Sequence, residues 1–195
     1  MSIKKITFSK VTDAEINDLK TRLANTRFIP NIPASDQWLG MDKEAVCDLL
    51  DYWRNNYDYR IWEEKFNSLP WYEVDLNGSR INFIHLFAGE NKKTVVLLHG
   101  WPDSFLRYWK LIPLLKDYNV VIPALPGYPY SSESFIETRF EKMADAFKQM
   151  MDELGYEKYV VSAGDIGSEI LNYWAYKYPE KISCLHIVDA PQQSI

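Results

Sequence analysis

The chain has 195 residues, enough for one domain of good size or one domain with an appendage. With 47% hydrophobic and 25% charged residues, it has the balance of a soluble globular protein. A net charge of −5, with no run of Lys or Arg, argues against nucleic-acid binding as a main activity. The N-terminus, MSIKKITFSK, has lysines but no apolar segment of a secretory signal, and no stretch is long and apolar enough to span a membrane. Cys47 and Cys184 lie far apart, without a disulfide framework or a CxxC metal pattern. These features predict a cytoplasmic protein with no metal, no cofactor, no nucleic-acid partner and no membrane partner. The aromatic content of 15% reads mainly as core packing.

In chain order, Thr12-Asp13-Ala14-Glu15 is a capping box, followed by Ile16, Leu19 and Leu23 at helical spacing. A helix from about Thr12 to Asn25 is predicted. FIPNIPASDQW, with two prolines, reads as an extended meander. A second helix follows Asp42, with Val46, Leu49, Leu50, Trp53 and Tyr57 on one face. A third covers about Arg60 to Asn67 and stops before Pro70. WYEVDL and RINFIHLF then flank Asn77-Gly78-Ser79, a strong hairpin signal. The same triplet matches a glycosylation sequon, but the turn reading is preferred.

From Thr94 strands alternate with helices. TVVLLH is a strand, and a helix is predicted from about Ser104 to Leu115. NVVIPAL is a strand, and Thr138-Arg139-Phe140-Glu141 is a second capping box opening a helix with Ala144, Phe147, Met151 and Leu154 inward. YVVSAG, a helix from Gly167 to Tyr178, and the strand ISCLHIV complete the series. This alternation predicts an α/β fold, a mostly parallel sheet with helices on both faces, preceded by a helical N-terminal arm.

Ligands of such sheets bind beyond the carboxyl ends of the strands. Two loops stand out there: His99-Gly100-Trp101-Pro102 and Gly164-Asp165-Ile166-Gly167. Together they have the layout of a nucleophile elbow and an oxyanion loop, in which small neighbours allow one side chain to be held in a strained turn. The elbow tip carries Asp165, where many hydrolases carry serine. A carboxylate is already ionised at neutral pH and needs no base to attack carbon that bears a leaving group or belongs to a strained ring. The backbone N–H groups of Trp101 and Ile166 are the candidate oxyanion donors. Pro102 has no N–H and directs its loop. The competing reading makes Asp165 a cap of the following helix or the tip of an inactive elbow. His99 reads as a structural hydrogen bonder rather than a base. His85 and His186 fall within strands.

At these residues the sequence resembles the microsomal-type epoxide hydrolases of the α/β-hydrolase superfamily. VTDAEINDLKTRLANTRF, YWRNNYDYRIWEEKFNSLPWYEVDLNGSRINFIH, HGWPDSFLRYWKLIPLL, VVIPALPGYPYSS and GDIGSEI are similar to successive blocks of that family, in order. The resemblance implies that residues 1–90 are the N-terminal arm with its first hairpin, and residues 91–195 the amino half of an incomplete α/β-hydrolase domain. It implies that Asp165 forms an alkyl-enzyme ester with a small apolar epoxide, en route to a vicinal diol. It also implies that Trp101 and Ile166 donate the oxyanion amides, and that His99, Gly100, Pro102, Gly164 and Gly167 shape the motif. The sequence departs from the pattern at Asp103, where the family usually has Gly, and at Ile166, commonly Trp.

Family members continue into a lid with two acid tyrosines, and then to an acidic residue and a base histidine. None of the tyrosines here matches the lid pair, and no histidine follows His186. The lid and carboxyl half are therefore expected to be absent, and the chain to be unable to turn over alone. A catalytically silent truncated product or an α/β binding scaffold is the alternative reading, and a haloalkane dehalogenase-type hydrolase a lesser one. ISCLHIV, 182–188, is expected to be an apolar edge that pairs with a second copy or a complementing chain, making the isolated chain poorly soluble or oligomeric.

Overall fold

The structure, a computed structural model, describes residues 3–28, 41–76, 78–131 and 139–189. The predicted meander at 28–38, apart from Phe28, and the turn residue Asn77 lie outside the described residues. The chain divides into two compact units, Phe8–Ser68 and Met1–Thr7 with Leu69–Ile195.

The smaller unit holds three helices. Helix α1 spans Asp13–Ala24 and is closed by the expected capping box: Glu15 N–H donates to Thr12 Oγ1 at 3.2 Å, and Thr12 N–H donates to Glu15 Oε2 at 2.8 Å. Helix α2 spans Lys43–Asn55, and α3 spans Tyr59–Asn67 with Asp58 as its cap. The start of α3 clamps the segment that leads into α1. Arg60 donates to Val11 O, Asp13 Oδ1 and Glu63 Oε2, while Glu63 Oε1 accepts Val11 N–H at 2.6 Å. Burial pushes the Glu63 carboxyl up, but these bonds and the Arg60 charge outweigh it and hold the group below its ordinary range.

The apolar face that the sequence places on α2 is largely open. Tyr57 lies beyond the helix end, and Leu49 and Trp53 are 60% and 43% exposed. With Leu19, Tyr52 and Tyr59 they line an open apolar groove of about 390 Å³. Amphipathic spacing identifies an apolar face, but does not ensure that anything within the unit covers it.

The larger unit is a seven-stranded sheet in the order β1-β2-β3-β5-β4-β6-β7. These strands are β1 Lys4–Lys5, β2 Trp71–Leu76, β3 Ser79–Leu86, β4 Thr94–Leu98, β5 Asn119–Pro123, β6 Tyr159–Gly164 and β7 Ile182–Val188. β5, β4, β6 and β7 run parallel, and β1, β2 and β3 join them antiparallel through Phe83 opposite Pro123. Gly78, at φ 86°, turns the β2–β3 hairpin, and its N–H donates to Asp75 Oδ1.

Helices α4 (Phe140–Glu153) and α5 (Ile166–Lys177) pack on one face of the sheet. Met143, Phe147, Met150 and Met151 recur at helical spacing and are buried. Trp174 of α5 is fully buried between Phe147 and Tyr159, with ring centroids 6.2 and 5.4 Å apart. Burying one such side chain contributes about 2–3 kcal/mol. Across the α4–α5 seam, Asp145 accepts from Lys177 Nζ at 2.6 Å and from Tyr178 Oη at 2.8 Å.

One expectation is corrected here. The helix predicted from Ser104 to Leu115 is two 3-10 turns, Phe105–Tyr108 and Ile112–Leu115. Pro113 cannot donate to a carbonyl one turn back, and it disfavours the helical conformation at Ile112. The second capping box rests on Thr138, which lies outside the described residues; Arg139 is the N-cap of α4. β7 stands at the edge of the sheet. Its consecutive residues Cys184 and Leu185, which point to opposite faces, are both exposed, and among the described residues it pairs on one side only.

Candidate active site

At the carboxyl end of β6 the chain turns sharply into α5. Asp165 occupies the tip, exposed, at φ 55° and ψ −130°. A non-glycine residue in this region is strained by about 1–3 kcal/mol and persists only where its surroundings impose it. They do so here: Asp165 N–H donates to Val188 O at 3.3 Å, and Asp165 O accepts Ser168 N–H at 2.8 Å.

Beside it, β4 ends in the His99–Pro102 loop, whose Trp101–Pro102 peptide is cis. Trp101 N–H donates to Asp165 Oδ1 at 2.8 Å. The Ile166 amide favours the charged form of the same carboxylate. Thus the two loops singled out in the sequence meet at one carboxyl group. The Trp101 amide, then that of Ile166, hold this group below the ordinary carboxyl value of 3.8; partial burial opposes them and the Arg107 charge adds to them.

Each glycine of the two motifs has a steric reason. A Cβ on Gly100 would stand 2.5 Å from Asp165 Oδ1 and 2.6 Å from Asp165 Cβ. One on Gly167 would meet His99 O at 2.6 Å and Leu98 O at 2.7 Å. One on Gly164 would meet Arg107 Nη1 at 2.9 Å. Gly100→Ala is therefore expected to leave the fold in place while pushing the carboxylate off its amides, cutting any reaction at Asp165 by about 100-fold. The initial rate of covalent labelling by an epoxide measures this.

His99 is fully buried. Its Nε2 accepts Leu125 N–H at 3.0 Å, which leaves the proton on Nδ1, 3.3 Å from Gly100 O. Burial lowers its pKa, with the Gly100 carbonyl opposing. A neutral imidazole with both nitrogens engaged braces the His99–Pro102 loop against the segment after β5. Tyr128 packs edge-on against both His99 and Trp101, and burial, then the Asp165 charge, pushes its hydroxyl pKa up.

The other two histidines stand elsewhere. His85 Nε2 is 2.8 Å from Tyr156 Oη, and His186 Nδ1 is 2.8 Å from Ser162 Oγ on the open face of β6 and β7. Asp103, the departure noted in the sequence, pairs with Arg107 at 2.9 Å. Sequence reasoning missed Arg107; its signal was an opposite charge four residues after Asp103. Among the described residues no cluster of His, Cys, Asp and Glu could hold a metal ion. No helix among them is long and apolar enough to cross a membrane.

The family model described as epoxide hydrolase N terminus matches residues 3–108. The chain belongs to the epoxide hydrolase family. The α/β hydrolase fold model matches residues 93–195. Epoxide hydrolase 1 of Sus scrofa is 32% identical to this family member over 91% of the chain, covering 43% of the relative. Juvenile hormone epoxide hydrolase 2 of Ctenocephalides felis is 29% identical over 88% of the chain and 40% of the relative. The solved epoxide hydrolase of Aspergillus niger superposes on the whole chain with a TM-score of 0.87 at 26% identity, over 54% of its own length. The juvenile hormone epoxide hydrolase of Bombyx mori superposes on 96% of the chain with a TM-score of 0.82, at 26% identity and over 53% of its own length. The chain thus spans about half the length, or less, of these relatives.

Proposed function

We propose that the chain carries the nucleophilic half of an epoxide hydrolase site, with Asp165 as the nucleophile and the amides of Trp101 and Ile166 as the oxyanion donors. The observation that carries this reading is the 2.8 Å bond from Trp101 N–H to Asp165 Oδ1, which ties the early loop to the elbow carboxylate. The carboxylate oxygen that Trp101 does not hold attacks a ring carbon of the epoxide. The C–O bond of the ring breaks, and its electron pair leaves on oxygen, which takes a proton. Oδ1 becomes the carbonyl oxygen of the resulting ester. It then already sits where charge develops when water adds, so the donors need no rearrangement.

Regenerating the carboxylate requires an activated water. The three histidines are engaged by Leu125, Tyr156 and Ser162 and do not stand over Asp165 in a base's position. We therefore expect the isolated chain to form the ester, with solvent supplying the proton, and to release it very slowly.

Incubation with styrene oxide, followed by intact-mass and peptide mass spectrometry, tests this. One added epoxide mass on Asp165, without sustained diol, is the expected result. An unlabelled Asp165 would favour a binding scaffold, and steady diol production would show that the chain has its own base.

The reaction also has a predicted pH dependence. The ionised carboxylate attacks, and its pKa is lowered, so the labelling rate stays level as pH falls through 5 and is lost only as pH drops through a midpoint below 3.8. Initial labelling rates in short incubations measure that midpoint. A midpoint at or above the ordinary value would contradict the role of the two amides.

A further inference from the structure

Next to Gly164 of the elbow lies an ion pair that the chemistry above does not use. Asp103 spends both carboxylate oxygens on its own loop. Oδ1 accepts Ser104 N–H at 2.7 Å, and Oδ2 accepts Arg107 Nε at 2.9 Å. The second bond fixes the direction of the guanidinium, whose Nη1 and Nη2 then stand 2.9 and 3.5 Å from where a Cβ on Gly164 would be. Arg107 thus fills the space that any side chain before Asp165 would require.

We propose that Arg107, aimed by Asp103, is a positioning residue of the elbow that holds a positive charge against Gly164, one residue before Asp165, where it attracts the carboxylate. This use of the charge rests on Asp165 being the nucleophile. The groups around Asp165 support the assignment. Tyr128, from the loop after β5, and buried His99, at the end of β4, are neutral near pH 7. Glu169 is the first carboxylate on α5, Asp189 is the first beyond β7, and Asp103 is already paired. Of these groups and Arg107, only Arg107 is cationic. It also contributes to the lowered pKa of Asp165, after the two amides. The guanidinium is partly exposed, so its effect is moderate and screened by salt.

The test is a 13C NMR titration of the 195-residue chain labelled at aspartate Cγ, with the Asp165 signal assigned by its loss in Asp165→Asn. Arg107→Gln is expected to raise the Asp165 midpoint by about half a pH unit. Arg107→Lys, which keeps the charge, restores most of it. Correspondingly, the labelling rate of Arg107→Gln falls off at a midpoint about half a pH unit higher than in the parent, about threefold lower relative to its own plateau below that midpoint. A purely structural role would change thermal stability in both variants and leave the midpoint alone; an unmoved midpoint in folded Arg107→Gln overturns the proposal. If that variant does not fold, the parent decides: its midpoint must rise between 0.05 and 1 M salt, roughly the range over which screening shortens from over 10 Å to 3 Å. A salt-independent midpoint overturns the proposal. The titration uses no epoxide, so the two readings separate. A shifted midpoint without labelling defeats the alkylation reading alone. Labelling with an unshifted midpoint defeats the Arg107 role alone.

Discussion

Asp165→Asn is expected to reduce covalent labelling by styrene oxide by about 10⁴-fold or more while leaving the fold intact. The asparagine side chain has the same shape, and its amide oxygen can still accept Trp101 N–H in place of Oδ1. What it loses is the anionic oxygen, because a neutral carboxamide does not open an epoxide at a useful rate. Intact-mass spectrometry against time gives the rate, and far-UV circular dichroism with urea unfolding gives the fold. A variant that labels as fast as the parent would place the nucleophile elsewhere. A variant that unfolds would make Asp165 structural. The comparison is demanding because the substitution removes a charge and almost no volume.

Gly167→Ala is expected to have the largest effect on stability, a loss of about 3 kcal/mol. The added methyl would stand 2.6 Å from His99 O and 2.7 Å from Leu98 O. Both are backbone atoms at the end of β4, inside a sheet that pairs β4 with β5 and β6. Neither can rotate away, so α5 must lift from the strand and take the elbow with it. Gly164→Ala is a useful contrast, because its closest obstacle at 2.9 Å is a side-chain end, the Arg107 guanidinium, and the nearest backbone atom, Val188 O, is farther off at 3.2 Å. It should be the milder of the two. Urea titration of the pair measures the difference. A total stability of about 5–15 kcal/mol is usual for a domain, so 3 kcal/mol is a large share. Equal stabilities for the two variants would show that α5 is not seated on the β4 carbonyls as described.

The residues of the elbow and of the early loop could be singled out in the sequence because their requirements are local. Gly164, Asp165 and Gly167 stand between a strand-forming run and a helix-forming run. His99 to Pro102 follow directly on an apolar strand. The Thr12–Glu15 box, the hairpin around Gly78 and the inward face of α4 were legible for the same reason: each is a pattern spanning a few residues. Where local signals competed, the reading failed. The stretch after Ser104 has helical spacing, but Pro113 removes a donor and breaks it into 3-10 turns. The apolar face of α2 is correctly spaced and still largely open.

What the sequence by itself determined is the fold family, the order of the elements and the placement of a carboxylate at a strand-to-helix turn. These follow from periodicity, capping and small-residue spacing, all encoded by neighbours along the chain. Only the tertiary structure decided that Trp101 donates to Asp165, that the His99 ring nitrogens are both engaged, and that Arg107 lies over Gly164. Trp101 and Asp165 are 64 residues apart, and His99 and Leu125 are 26 apart. Hydrogen bonds and charges act through space over a few ångströms, so contacts such as these exist only once β4, β5 and β6 lie side by side.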